Sequence, residues 1–98
     1  MTNSNREVRV IMVRFDELQE VKSYIYFSED KVPSKNNLVV GFNNGEFFIG
    51  YTVGSYNIDI LELIKKADQF GVLECPSDEP IYTTYMTKTC ANLVQKTA

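Results

Sequence analysis

The sequence predicts an α+β domain, a small curved antiparallel sheet of four to five strands forming a partly open barrel packed with one or two C-terminal helices. Three observations predict it. Residues 38–53, LVVGFNNGEFFIGYTV, place apolar, β-branched and aromatic runs on either side of Asn43-Asn44-Gly45, whose residues tolerate positive φ and so close a tight hairpin. Aromatic residues are 12% of the chain, all Phe and Tyr, and most precede position 57, a bias that suits strands. After Gly54 the apolar period changes from that of a strand to that of a helix.

The elements follow in order. Residues 1–5 are polar and read as a frayed tail, and residues 6–54 as the antiparallel sheet. In REVRVIMVRF, Val8, Val10, Met12 and Arg14 face one way, and Arg9, Ile11, Val13 and Phe15 the other. Both faces turn apolar toward the middle, so this strand is expected to be covered on both sides. Residues 16–20, DELQE, form a charged connection to a second strand, KSYIYF, with Tyr24 and Tyr26 on one face and Ser23, Ile25 and Phe27 on the other. Residues 28–37, SEDKVPSKNN, read as a loop. The hairpin of residues 38–42 and 47–53 follows, with Phe47, Ile49 and Tyr51 on one face and Phe48, Gly50 and Thr52 on the other. Gly50 within the return strand suggests a bulge or sharp bend.

Residues 57–94 are expected to be mainly helical cover. Ile58, Leu61, Ile64 and Ala67 recur at helical spacing, with Ile60 and Leu63 widening the stripe. Asn57 or Ser55 suits the N-cap, and Gly71 the left-handed position at the end. Residues 72–75 read as a brief strand and residues 76–80 as a loop. Beyond it, Ile81, Tyr85, Thr89 or Cys90, and Leu93 fit a second helical stripe, which is the favoured reading, while the threonines Thr83, Thr84, Thr87 and Thr89 argue for a strand.

Size and charge bound the function. Ninety-eight residues make one domain, with 44% hydrophobic and 23% charged residues, as in ordinary globular folds. The net charge of −3 lacks the basic footprint that neutralises nucleic-acid phosphates. It is also too mild and mixed to copy the surface of DNA. Residues 57–79 hold six acids against two lysines, whereas the basic residues of the front half are spread out. Cys75 and Cys90 follow no metal or redox spacing; two reduced thiols are the expected state, although their separation also permits a disulfide. The amino terminus has no signal-peptide pattern and no apolar run nears the ~20 residues of a membrane span, so a cytoplasmic protein is expected.

No catalytic constellation is found. Histidine is absent, no serine has a base partner, and neither cysteine has a neighbouring cation to lower its pKa. The consecutive acids Asp16-Glu17, Glu29-Asp30 and Asp78-Glu79 fall in loops and read as solvated turn residues. The expectation is a non-enzyme without metal or cofactor. Aromatic residues are mostly core, but some tyrosines are expected at the surface, where they serve a protein partner or stack bases. The candidate partner-binding residues are Tyr24, Tyr26, Tyr51, Tyr56, Asp59, Glu62 and Asp68. The candidate nucleic-acid contacts are Arg9, Lys22 and Lys35.

VRVIMVRF, YIYF, the proline-bearing loop and LVVGFNNGEFFIGYTV together span residues 8–54. This pattern resembles the small N-terminal barrel of the primosomal replication-restart helicase and related small bacterial and phage barrels. The resemblance implies an SH3-like barrel, and in that helicase the domain holds the end of a DNA strand. Asn36-Asn37 stands where those barrels tend to have glycine. Glu46 stands at a hairpin tip that is basic in them, and an acid there repels phosphate. The reading favoured is therefore a non-enzymatic protein–protein interaction module, a phage accessory or host-modulating protein, acting on a host protein or by self-association. The alternative is a single-stranded nucleic-acid binder.

Overall fold

A computed structural model describes residues 6–27, 33–75 and 81–91, with backbone alone at residues 86–88. The strands are β1 (Glu7–Phe15), β2 (Glu20–Tyr26), β3 (Leu38–Asn43), β4 (Glu46–Asp59), β5 (Gly71–Glu74) and β6 (Tyr82–Thr89). Between β4 and β5 lie helix α1 (Ile60–Lys65) and a 3-10 turn at Ala67–Gln69. The strands close into a barrel in the order β1-β2-β5-β6-β3-β4, with β4 pairing back onto β1.

This corrects the expected α+β architecture. The sheet is closed rather than partly open, and it has six strands rather than four or five. It is not purely antiparallel, because β2 pairs with β5, and β3 with β6, in parallel. The described residues of 57–94 are not mainly helical. β4 runs on to Asp59, α1 has six residues, and the segment favoured as a second helix is β6 as far as Thr89. The physical reason is non-local pairing. Ile58 and Tyr56 pair with Val8 and Val10 of β1, and Tyr82–Tyr85 pair with Val39–Phe42 of β3. These ladders override a local periodicity that fits either element. The expected tail at residues 1–5, the loop at 76–80, part of the loop at 28–37 and the end of the second helix at 92–94 lie outside the described residues.

Two cores explain the two-faced strand β1. Ile11, Val13 and Phe15 point into the barrel with Tyr24, Tyr26, Val39, Leu73 and Tyr82. Inside it, Phe15 meets Tyr24 edge to face at 6.3 Å, and Tyr26 meets Tyr82 at 5.8 Å. Val10, Ile25 and Val72 point outward and are roofed by Leu63, Ala67 and Phe70 from α1 and the turn after it, with Cys90 alongside. Covering each such aliphatic side chain stabilises by about 1.5–3 kcal/mol. The stripe that is buried is Leu63 and Ala67, whereas Leu61 and Ile64 of the expected stripe are exposed. Asp59 caps α1, its carboxylate accepting the Leu61 N–H at 3.0 Å, so neither Asn57 nor Ser55 is the cap. Gly71 opens β5 opposite Tyr24 instead of ending a helix.

The hairpin forms as expected. Asn44 and Gly45 both have positive φ, 51° and 87°, the signature of the two-residue turn that matches strand twist. Gly50 is required for a different reason from a bend. An added Cβ would lie 2.7 Å from both Phe15 Cδ1 and the Arg14 carbonyl oxygen, so Gly50 is the floor on which the Phe15 ring lies. The bulge comes three residues later. The β1–β4 register passes from Met12↔Gly54 to Val13↔Thr52, leaving Val53 unmatched. Buried Thr52 latches the preceding loop: its Oγ1 accepts the Asn37 N–H at 2.9 Å and donates to the Ser34 carbonyl. Among the described residues, no helix is long and apolar enough to cross a membrane.

Candidate interaction surface

Strand alternation sorts the barrel's side chains into an interior and an outer set. On β3 the outer set is Leu38, Val40 and Phe42, since Val39 and Gly41 are buried. Their partners on β4 are Tyr51, Ile49 and Phe47, and on β6 Val40 and Phe42 pair with Thr83 and Tyr85. The three strands thus share one outward face of almost wholly apolar character. The α1 cap lies elsewhere, over β1, β2 and β5. Phe47 is 62% exposed, Tyr85 47%, Tyr51 41% and Phe42 37%. With ~150–250 Å² per aromatic side chain, these fractions amount to roughly 400 Å² of exposed ring surface. That is the size of the largest patch on a typical monomer, and about half of one side of a standard interface.

The face is partly preorganised. Phe42 and Tyr85 stack with centroids 5.4 Å apart and planes 26° from parallel, so two of the four rings are already held by each other. Its described charged neighbours include Arg14, opposite Tyr51, and the acids Asp16, whose N–H donates to the Ile49 carbonyl at 3.3 Å, Glu46, opposite Asn43 at the hairpin end, and Glu74, opposite Thr83. One cation against three acids is a poor cradle for phosphate.

The expected site residues divide by location. Tyr51 belongs to this face. Tyr24 and Tyr26 do not: both are barrel core, at 3% exposure, because the face that alternation gave them turned out to be the interior. Burial, with the Glu20 carboxylate adding to it, pushes the Tyr24 phenol well above the ordinary tyrosine value. Tyr82 is raised in the same direction, by burial first and by its neighbours Tyr26 and Cys75 second. Asp59 is occupied as the helix cap. Tyr56, Glu62 and Asp68 come together with Lys22 along an open groove of about 730 Å³ beside α1. The nucleic-acid candidates are scattered. Lys22 Nζ lies 3.4 Å from Glu20, Arg9 donates to Ser55 at 3.5 Å, and Lys35 sits in the loop before β3. Arg9 and Lys22 occupy rows four residues apart on the β1–β2 ladder, roughly 13 Å.

Sequence reasoning did not assign Phe42, Phe47 and Tyr85 to the site. The hairpin pattern could have paired the first two, since Phe42 and Phe47 flank the turn symmetrically. Tyr85 carried no signal, because only the closing β3–β6 pair brings it to Phe42. Neither cysteine is in a disulfide; Cys90 is buried, which raises its pKa, and Cys75 is half-buried. Among the described residues, no three His, Cys, Asp or Glu side chains gather as a metal site. No family model, no curated protein and no solved structure matches the chain.

Proposed function

We propose that this protein is a small non-enzymatic module that binds a protein partner through the outer face of β4, β3 and β6. The observation that carries the reading is the uncovered row Tyr51, Phe47, Phe42 and Tyr85, on a barrel whose opposite outer face is roofed by α1. Exposed aromatic rings with few charges among them are what the centre of a protein interface contains. The area argues for weak or transient association, because a ring core of roughly 400 Å² is well short of the ~800 Å² that each partner of a standard complex buries.

The same rings would also stack the bases of a single strand, as the helicase-like resemblance implies. The charge balance around them supports the protein reading instead. A photo-crosslinking residue placed at position 47 tests the choice. The expected result is one discrete protein adduct in lysate, reproduced with the isolated partner and lost when Phe42 and Tyr85 are changed to Ser. Failure to crosslink any protein, together with salt-sensitive binding of short single-stranded DNA or RNA by the same face, would replace this reading with the nucleic-acid one.

A further inference from the structure

The barrel wall contains a strand shorter than its neighbours. β5 begins only at Gly71, which pairs with Tyr24 of β2 on one side and with Thr89 of β6 on the other. These three residues share a row, so β2 and β6 stand two strand spacings apart there, ~9.6 Å. One residue earlier the Phe70 carbonyl still accepts the Cys90 N–H at 2.8 Å, but Phe70 has no partner on β2, its side chain being buried in the core beneath α1. β2 does not stop there. Glu20–Ser23 run on, pairing with Phe15–Met12 of β1, and among the described residues no strand occupies their other edge. That edge borders the open groove of about 730 Å³, whose lining includes Glu20 to Tyr24 consecutively.

From this geometry we infer that the β2 edge is a strand-addition site for an extended peptide with alternating apolar and basic side chains. Alternate backbone N–H and C=O groups along Glu20–Ser23 point away from β1, and an extended chain is the ligand whose own backbone complements them. The position is one strand wide, being the line that β5 would follow if it started earlier. Exposed Val21 and Tyr56 offer apolar contact along the groove. Its charges are the acids Glu20, Glu62 and Asp68 against Lys22 and Lys66. Lys22 lies 3.4 Å from Glu20 and Lys66 lies 3.7 Å from Glu62, which leaves Asp68 without an ion-pair partner among the described residues and selects a basic side chain. A second copy of the chain fits less well. Gln69, Phe70, Tyr85 and Thr89 line the groove together with the β2 edge, so it admits a single strand more readily than a folded barrel.

This site meets the aromatic face at Tyr85, which lines both, whereas Phe42 and Phe47 do not line the groove, so those two residues tell the sites apart. The test uses the full chain and a labelled, end-blocked octapeptide of alternating Val and Lys at ~50 mM salt, where surface charges are weakly screened. Anisotropy should saturate at peptide concentrations up to about 1 mM, and amide shifts should centre on Val21–Tyr24 and Gly71. Asp68→Lys should weaken binding about threefold or more, while Phe47→Ser leaves it unchanged. Two N-methylated peptides, blocked at the odd or at the even residues, should behave oppositely, since only one phase faces β2. The inference is overturned if both N-methylated peptides behave alike or if nothing binds. It is equally overturned if the shifts fall on Phe42 and Phe47, or if dilution of the protein alone moves the β2 amides.

Discussion

Gly50→Ala probes the barrel interior at its tightest point. The added methyl would sit 2.7 Å from Phe15 Cδ1, 3.1 Å from Cε1 and 2.7 Å from the Arg14 carbonyl oxygen. Carbon atoms pack best at about 3.5–4.0 Å, so roughly 0.8 Å must be found. Neither neighbour yields easily. Phe15 is completely buried and held by Tyr24, and the Arg14 carbonyl belongs to the β1 backbone opposite Tyr51. Overpacking a filled core costs about 1–3 kcal/mol, and a backbone obstacle places this case near the upper end. For a domain this size, about 3 kcal/mol lowers Tm by roughly 12–24 °C. Gly54→Ala is the internal control on the same strand. Its nearest obstacle is Met12 Cε at 3.0 Å, the far end of a flexible side chain, so the cost should stay below about 1 kcal/mol. Urea and thermal denaturation of both variants read the difference. Adding Phe15→Leu to Gly50→Ala should recover about 1 kcal/mol relative to additivity. Equal losses at the two glycines, or a Gly50→Ala cost under about 0.5 kcal/mol, would refute the packing argument.

Four further outcomes follow from the same structure. Thr52→Val removes the hydroxyl that holds Asn37 and Ser34, and should cost about 1–3 kcal/mol in urea denaturation. Thr84→Val should be neutral or stabilising, because the buried Thr84 Oγ1 has no hydrogen-bond partner among the described residues. Leu63→Ala should cost about 2–5 kcal/mol by thermal melt while Leu61→Ser costs under about 0.5; the reverse order would put the other face of α1 against the barrel. Alkaline pH should destabilise the fold. Tyr24, Tyr82 and Cys90 have pKa values raised by burial above ordinary values of 10.0 for tyrosine and 9.0 for cysteine. Below those values both folded and unfolded chains are protonated, and the full stability is present. Above them the unfolded chain loses protons that the folded chain keeps, so stability falls as pH rises from about 9 through 10 and beyond. Tm measured against pH should decline there, less steeply in Tyr24→Phe, and a flat profile would contradict the burial of these groups.

What was legible in the sequence was local. Asn44-Gly45 announced its turn because few residues other than asparagine and glycine adopt two consecutive positive φ values. The double-faced apolar pattern of β1 correctly implied cover on both sides. What was illegible depended on distant partners. Tyr56, Asn57 and Ile58 alternate as a strand, yet Ile58 also begins a helical stripe, and only the pairing with Val8 and Val10 decides between them. The threonines of β6 carried the strand signal, but the parallel partner they need is about 40 residues earlier in the chain. The site suffered the same way. Alternation put Tyr24 and Tyr26 on one face of a strand without saying that this face was the interior. Tyr85 joined Phe42 only through closure of the barrel.

That closure is the claim on which the aromatic face depends, and interstrand nuclear Overhauser effects across β3 and β6 test it most directly. The account predicts parallel-sheet contacts linking Val40 with Thr83 and Phe42 with Tyr85. Sequential amide contacts with helical i to i+3 spacing through residues 82–89, and none to β3, would contradict it.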